Sequence, residues 1–370
     1  MAEIAGSGVY VAETLELGVS VASGETAVPV FLGDFGDAVD SVAPLASWQE
    51  FTGLGDALNA SAFAAVLRGY FANGGGRCYL ANTAERSLEE TLAAVAKFSD
   101  ITILVAPGLW DEGEKRAGEW ARGLAGYAAA HRAMAILHAD RGHTPHRRES
   151  GRRRLGPGGR AAPPRGALPP VGTPGFRGEE VVVAPSGILA GVWARTDRER
   201  GVWKAPANVV LTGVTGLEHT VSDEEQGENP SLNFLRVFSG YGTLVWGART
   251  LAASQSTEWR YIPVRRLADT LARDVSTALQ SVVFEPNTQP TWEKVKVRAA
   301  IDTYLYRLWQ QGGLQGTKVE ESYFIQIGKG ITMTEQDITD GRLIVKTGIA
   351  PVRPRRVHRA AAHTITLDQG

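Results

Sequence analysis

The residues best spaced for chemistry lie in one histidine-rich stretch, HADRGHTPH, at residues 138–146. Imidazole and carboxylate side chains at such spacings can ligate a transition metal, and the candidate ligands are His138, Asp140, His143 and His146. Most of them lie in or beside a segment rich in Arg and Pro, and the sequence offers no second shell of orienting side chains. The pattern therefore favours a solvated loop over a metal site.

Other motifs for catalysis or phosphate binding are weak. Cys78, the single cysteine, lies in the apolar pattern RCYLA, where a buried small side chain is the simpler interpretation. The glycine runs at 74–76 and 328–330 do not fit a phosphate loop, and no G-x-S-x-G nucleophile motif occurs. The charged run RTDRER at 195–200 could pair across a subunit contact or form a solvated turn. These motifs predict no catalytic residue, no cofactor site and no metal site.

The composition is that of a globular protein without a strong electrostatic preference. The chain has 370 residues, enough for two domains, with 39 basic and 40 acidic side chains and a formal net charge of −1. This balance gives no overall attraction to nucleic acid or to an anionic membrane. One cysteine allows no intrachain disulfide, which favours a cytosolic environment. The N-terminal stretch lacks a signal-peptide pattern, and no apolar run approaches the length of a membrane span.

The first half of the chain alternates between strand and helix patterns. Ser87 and Glu90 form a capping box at the start of one helix. The continuous apolar run at 101–107 is typical of a strand buried on both faces. Strands are predicted at 27–33, 77–81, 101–107 and 133–137, with helices beginning near 59, 87 and 113. Such alternation predicts a largely parallel sheet.

The composition changes abruptly after the last of these strands. Residues 141–170 contain eight Arg, six Gly and six Pro, and no aromatic residue, Ile or Val. A segment of this kind cannot bury enough apolar surface to offset the entropy of ordering it. We interpret it as a poorly ordered loop, and as an insertion or a stretch read in a shifted frame; the functional alternative is a nucleic-acid-binding arm.

The second half contains two long helices followed by strands. Helices are predicted at 264–283 and from Pro290 to Gln311. Two alternating strands, 323–328 and 341–351, are expected to pair, and NFLRVFSG is interpreted as a turn before a strand at 243–247. A short N-terminal strand around Val9 has no local partner, so it must pair elsewhere.

Several stretches, in order along the chain, closely resemble the contractile tail sheath family, which includes phage tail sheaths, R-type pyocin sheaths and sheaths of extracellular contractile injection systems. The signature is APSGILAGVWARTDRERGVWKAPAN at 184–208. GVYVAE and VPVFLGDF are similar to the N-terminal region. The matching stretches of the C-terminal half are NFLRVFSGYGTLVWGARTL, EWRYIPVRRLADTLARDVSTALQSVVFEPN, LWQQGGLQG and GRLIVKTGIAPVRP. Residues 138–177 and the chain after Arg353 depart from the family pattern.

The resemblance implies an α/β (α+β) protein with a mixed-sheet core domain, an outer α/β domain, and strand arms exchanged with neighbours. Residues 1–25 would be an N-terminal arm belonging to the core domain, 26–204 the outer domain, and 205–370 the C-terminal core domain with its own arm. GVWKAPAN would be a structural elbow between domains, with Lys204 as a buried or interface cation. The elbow residues are Trp203, Lys204, Pro206 and Asn208.

The resemblance also implies a structural, non-enzymatic function without a cofactor. Subunits would stack as hexameric rings around an inner tube and contract to drive the tube through a target envelope. Baseplate and cap proteins would be further partners, and assembly into a phage-tail-like particle would take place in the cytoplasm. The expected linking strands contain Val9, Tyr10, Val11, Leu343, Val345 and Ile349. The expected contacts with the tube or a neighbour are Arg265, Arg266, Asp269, Arg273 and Asp274.

The residue patterns leave two other classes of protein open. An α/β enzyme built on residues 77–137 would hold a ligand in a cleft of a folded monomer. A nucleic-acid-binding protein using the Arg-rich segment would bind DNA with strong salt dependence.

Overall fold

A computed structural model describes residues 20–138, 171–174, 180–218, 220–228, 232–254, 256–282 and 297–354. Three expectations fall outside the described residues: the N-terminal strand with Val9, Tyr10 and Val11, nearly all of the Arg-rich segment, and the tail beyond residue 354. No described helix is long and apolar enough to cross a membrane.

The strands and helices follow each other in mixed order. Strands β1 to β13 are Pro29–Gly33, Val42–Leu45, Cys78–Asn82, Ile103–Val105, Met134–Ile136, Val171–Pro174, Glu180–Val183, Val209–Val210, Gly216–Leu217, Phe234–Phe238, Gly242–Trp246, Tyr323–Ile327 and Val345–Ile349. Helices α1 to α11 are Trp48–Thr52, Asp56–Asn59, Ala62–Ala72, Leu88–Val95, Glu114–Ala130, Ser186–Arg200, Asp223–Glu228, Ile262–Leu279, Val297–Gln310, Val319–Ser322 and Glu335–Thr339.

The largest sheet has the strand order β2-β3-β1-β4-β5. Strands β3, β1, β4 and β5 are parallel, which confirms the predicted parallel arrangement. Strand β2 was not predicted; it adds to the edge of β3 in the antiparallel direction. Phe31 lies at the centre, opposite Leu80 on one side and Val105 on the other.

Both faces of this sheet are covered, which explains its continuous apolar strands. In β1, Phe31 packs into one core cluster with residues of α3 and α6, whereas Val30 and Leu32 pack into a second cluster with residues of α4 and α5. Successive side chains of a strand point to opposite faces, so both faces require apolar residues. The predicted capping box of Ser87 and Glu90 is present at the start of α4.

The C-terminal half forms smaller sheets and a third core cluster. Strands β10 and β11 form an antiparallel hairpin that continues to β8. The interpretation of NFLRVFSG as a turn is therefore wrong, because Phe234–Phe238 is a strand whose residues Phe234 and Leu235 are buried. Strands β12 and β13 pair antiparallel, as predicted.

The core clusters do not follow the predicted domain division at residues 204 and 205. Leu211, Leu235 and Val245 come from beyond the boundary and pack in the cluster that contains Phe31. Val21 packs in the third cluster with apolar residues of α8 and α9. The division itself stays a prediction, although the position of Val21 agrees with an N-terminal segment that belongs with the C-terminal helices.

Candidate functional site

The histidine-rich stretch does not provide a metal centre within the described residues. His138 is buried, whereas Asp140, His143 and His146 lie outside the described part of the chain. Among the described residues, no group of three or more His, Cys, Asp or Glu side chains could hold a metal ion. Cys78 is buried in β3, where burial raises the pKa of its thiol and disfavours a reactive thiolate.

A cavity of about 870 Å³ lies at the carboxyl ends of the parallel strands. Its wall includes Arg86 and Arg116, and each arginine is paired with a nearby carboxylate: Arg86 with Asp40 at 3.7 Å and Arg116 with Glu112 at 2.8 Å. Both arginines of the wall thus have a carboxylate partner, which for Arg116 also lines the cavity.

Burial of His138 should make the stability of the protein depend on pH. Burial lowers its pKa to about 4, whereas the unfolded chain takes up the proton near about 6.5. The unfolded state thus binds more protons between these values, so stability is complete above about 6.5 and falls by roughly 3 kcal/mol as the pH drops to about 4. Urea unfolding of the protein and of His138→Gln across this range measures the effect.

The variant should lose this component of the pH dependence. His131→Gln is the matched control, because His131 is exposed and precedes β5, whereas the buried His138 follows it. A His138→Gln profile that stays parallel to that of the unchanged protein would contradict the assignment.

Helix α8 carries buried charges on the face opposite its apolar stripe. Arg265 donates to Asp269 through two bonds of 3.0 and 2.7 Å, and its guanidinium lies 3.9 Å from the ring centre of Trp259. The Arg265 and Asp269 side chains are 10% and 2% exposed, so this i, i+4 pair is inside the protein. The pair is satisfied within the chain.

Arg266, the next residue, reaches across to helix α6. Its two terminal nitrogens donate to the carboxylate oxygens of Asp197 at 2.9 and 2.5 Å, and its guanidinium lies 4.8 Å from the ring centre of Trp193. Both side chains of the ion pair are nearly inaccessible, at 3% and 5% exposed. A planar guanidinium matches a carboxylate in this bidentate geometry. The run RTDRER is therefore neither a simple solvated turn nor free for a contact through Asp197.

The same charges hold the first described part of the chain. Arg266 Nη2 donates to the carbonyl oxygen of Thr26 at 3.1 Å, and Thr26 Oγ1 donates to Asp197 Oδ2 at 2.5 Å. Two turns further along α8, Asp274 accepts from the backbone N–H of Gly24 at 3.2 Å and from the hydroxyl of Tyr304 at 2.8 Å. Burial raises the pKa of the Asp274 carboxyl, and these two hydrogen bonds oppose that shift.

The large sheet holds the segment from its other side. Thr102 Oγ1 donates to the Thr26 carbonyl at 2.9 Å and accepts from the backbone N–H of Val28 at 2.9 Å. Glu25 pairs with Arg77, which also contacts Asp100 at 2.7 Å. Residues 24–28 thus lie at a junction of the sheet with α6, α8 and α9.

The predicted contact face of α8 is therefore occupied mainly by the chain itself. Arg265, Arg266, Asp269 and Asp274 are buried, although periodicity placed them off the apolar stripe. Arg273 is half-buried; it donates to the carbonyl oxygen of Arg132 at 2.6 Å, and burial lowers its pKa. Contact of these residues with a tube or a neighbour stays a prediction.

The GVWKAPAN stretch begins where α6 ends. Trp203 packs against the third core cluster, and a side chain at Gly201 would meet its ring at 2.4 Å. Pro206 is buried, and Asn208 has a φ of 57° with its N–H bonded to the carbonyl of Val245 at 2.7 Å. Lys204 is exposed in the chain by itself, so of the two expected roles, a buried or an interface cation, the interface role is the one that stays as a prediction.

The two-stranded sheet of β12 and β13, called here the β12–β13 hairpin, has apolar side chains on both faces. Tyr323, Ile325 and Ile327 of β12 are buried against the third cluster, whereas Phe324 is 48% exposed. Val345 and Ile349 of β13 and Leu343, which precedes the strand, are half-buried against the same cluster. Within the described residues this sheet has two strands, so each strand has one side without a partner strand.

Sequence reasoning missed several residues of this arrangement, namely Gly24, Thr26, Thr102, Asp197 and Tyr304. Asp197 carried one usable signal, since it lies in the charged run RTDRER, for which pairing of charges was one of the two expectations. Thr26 and Tyr304 carried none, because their roles depend on neighbours distant in sequence.

Comparison with protein families gives a match in the C-terminal part. The sequence model of the phage tail sheath C-terminal domain matches residues 254–358. A tail sheath protein of Burkholderia phage BcepMu is 35% identical over 113 residues, which are 28% of this chain and 24% of the phage protein. This relative is thus similar over a limited part of its length.

Comparison with solved structures extends the similarity over almost the whole chain. The sheath complex of an extracellular contractile injection system, PVC, in its contracted state is 39% identical, with a TM-score of 0.77, over 98% of this chain and 99% of that chain. The helical sheath of the anti-feeding prophage in its contracted state is 39% identical, also with a TM-score of 0.77, over 94% and 96%.

Proposed function

This chain belongs to the contractile tail sheath family, and from that premise we propose that it is a structural subunit of a contractile sheath. The observation that carries the proposal is similarity at 39% identity along the full length of a contracted injection-system sheath. Subunits assemble as a helical stack of hexameric rings around an inner tube. Contraction of this sheath drives the tube through a target envelope.

Subunits are linked by strands exchanged between neighbours. A hairpin of two strands is marginally stable by itself and gains from added strands, and β12–β13 has one unpartnered side on each strand among the described residues. An arriving strand would add main-chain hydrogen bonds at such an edge. The N-terminal strand with Val9, Tyr10 and Val11 is the segment we assign to this role. Leu343, Val345 and Ile349 were expected in a second linking strand. Because β13 pairs with β12 of the same chain, we assign these residues instead to the hairpin that receives the arriving strand.

The remaining partners follow from the same role. The inner tube protein lies inside the rings, and baseplate and cap proteins bind the two ends of the stack. We assign Arg273 as the first candidate for contact with the tube or a neighbour, since it is the least enclosed of the predicted α8 charges. Lys204 is the second, because it is an exposed residue of the elbow.

The energy for movement is stored during assembly rather than taken from a bound nucleotide. Contraction is then a transition between two packings of the same subunits. The sheath acts without catalysis and without a cofactor, and it assembles in the cytoplasm as part of a phage-tail-like particle.

Deletion of residues 1–14 should leave a folded protein that does not build long sheaths. The deletion ends before Ser20, where the described fold begins, so it leaves the three core clusters intact while removing the linking strand. Full-length and shortened proteins are each co-expressed with the tube protein and compared by electron microscopy, and thermal melts of both proteins control for folding. Long striated sheaths from the shortened protein, as abundant as from the full-length protein, would refute strand exchange at the N-terminus.

A further inference from the structure

We propose that Asp197, Arg266, Asp274 and Tyr304 form an arm clamp that fixes the N-terminal arm to the body of the subunit. They are positioning residues, which hold the backbone at Gly24 and Thr26 and so fix the base of the arm. Through these contacts a force on the arm is transmitted to two parts of the subunit, namely the large sheet and the C-terminal helices α8 and α9. This inference rests on the proposed function, because the arm carries load only when subunits are linked in a sheath.

The first argument is the density of bonds on a very short segment. The Thr26 carbonyl accepts from Arg266 at 3.1 Å and from Thr102 at 2.9 Å, and the Thr26 hydroxyl donates to Asp197. The Gly24 N–H is bonded to Asp274. Gly24 itself is exposed, so its position is not explained by burial of its own surface. Side chains from other elements hold the backbone in place.

The second argument concerns the choice of charges. Burying an ion pair adds little net stability, because loss of hydration offsets most of the attraction, and an apolar pair of similar volume would hold α6 against α8 equally well. A buried ion pair does constrain its surroundings, because the donors and acceptors that the pair leaves unused need hydrogen-bond partners at fixed positions. Arg266 and Asp197 find those partners in the carbonyl and hydroxyl of Thr26. The pair therefore specifies one path for the segment.

The third argument is that the clamp joins the two halves of the subunit. Asp274 and Tyr304 belong to α8 and α9, which pack in the third core cluster together with Val21. Thr102 immediately precedes β4 of the large sheet and bonds the same segment. Force applied to the arm therefore reaches the C-terminal helices and the large sheet together.

The clamp can be opened without leaving a buried charge unpaired. The double variant Asp197→Leu with Arg266→Met removes both charges and keeps apolar volume beside Trp193. Asp274→Leu opens the second contact, and Asp274→Asn is its matched control because the amide still offers an acceptor to Gly24 and a donor to the Tyr304 hydroxyl. A variant that replaces Arg266 alone is avoided, because it would leave the buried Asp197 carboxylate without its cationic partner.

Cleavage after Glu25 by a glutamate-specific protease reports the clamp in the isolated subunit, because Glu25 lies between the two held residues. Such cleavage requires the segment to leave its site. We expect cleavage at least about tenfold faster in the double variant and in Asp274→Leu, with Asp274→Asn close to the unchanged protein, since loss of hydrogen bonds to charged groups is worth a factor of roughly ten or more. Unchanged cleavage in both opened variants would overturn the clamp.

Co-assembly with the tube protein then tests the load-bearing part. The opened variants should form sheaths that are shorter or lack ordered rings. Leu124→Ala is a core change in α5, a helix that contributes no clamp residue, and it lowers stability; this variant should form normal sheaths when assembled below its melting temperature. Faster cleavage with normal sheaths would overturn transmission of load. If the unchanged protein forms no sheath, the proposed function fails, and the cleavage assay still decides the clamp. If the double variant does not fold, the cleavage rates of Asp274→Leu and Asp274→Asn decide whether the clamp exists.

Discussion

Replacing Gly191 with alanine is expected to destabilise the protein by about 2–4 kcal/mol, because the new methyl group would collide with backbone. A Cβ atom at Gly191 would lie 2.3 Å from the carbonyl oxygen of Tyr70 and 3.1 Å from its carbonyl carbon. A side chain could rotate away from such a contact, but the carbonyl belongs to the last turn of α3 and is held by the helix. Helix α6 would have to move away from α3 and from the core around Phe31.

Gly126→Ala is the matched control for this change. Gly126 lies within α5, is exposed, and has no atom within 4 Å of an added Cβ. The same substitution there should be neutral or stabilising by up to about 1 kcal/mol, because alanine is a better helix former than glycine. Urea unfolding of both variants gives the comparison. Equal stability of the Gly191 and Gly126 variants would show that α3 and α6 are not packed as closely as the structure places them.

Replacing Asn82 with aspartate is expected to destabilise the protein by about 3 kcal/mol or more at neutral pH, since two buried donors are replaced by an acceptor. Asn82 is 5% exposed and uses all of its amide. Its Nδ2 donates to the carbonyls of Gly36 and Val39 at 2.8 and 2.6 Å, while Oδ1 accepts from the N–H groups of Phe35 and Ala84. A carboxylate would set a negative charge against two carbonyl oxygens.

The pH dependence distinguishes this mechanism from a simple packing defect. The two carbonyls and burial would raise the pKa of the new carboxyl above that of the unfolded chain, so the penalty is largest above the folded pKa and smaller at acid pH, where a protonated carboxyl donates one bond. The difference in unfolding free energy between variant and parent is measured at several pH values. Asn208→Asp is the control, because Asn208 is exposed and aspartate tolerates its positive φ. A penalty independent of pH would argue against the carbonyl contacts.

The sequence by itself determined the elements whose causes lie within a few residues. The capping box of Ser87 and Glu90 and the apolar run around Ile103 specify a helix start and a buried strand through local hydrogen bonding and burial on both faces. The pairing of β12 with β13 followed from two alternating patterns, one shortly after the other. Several motifs in the same order along the chain were sufficient to identify the resemblance to the sheath family.

Tertiary structure alone decided which residues meet at the junction of the two halves. Periodicity placed Arg266 on the polar side of α8, and such a pattern predicts a solvent-facing charge only if that side meets water. In the fold this side meets α6 and the N-terminal segment, so Arg266 is buried with partners 69 and 240 residues away in sequence. The contact of Gly191 with Tyr70 depends in the same way on how two helices approach each other. The local sequence pattern indicates which side chains are to be buried or need an opposite charge. Which residue becomes the partner depends on the path of the chain in three dimensions, and the local pattern carries no information about that path.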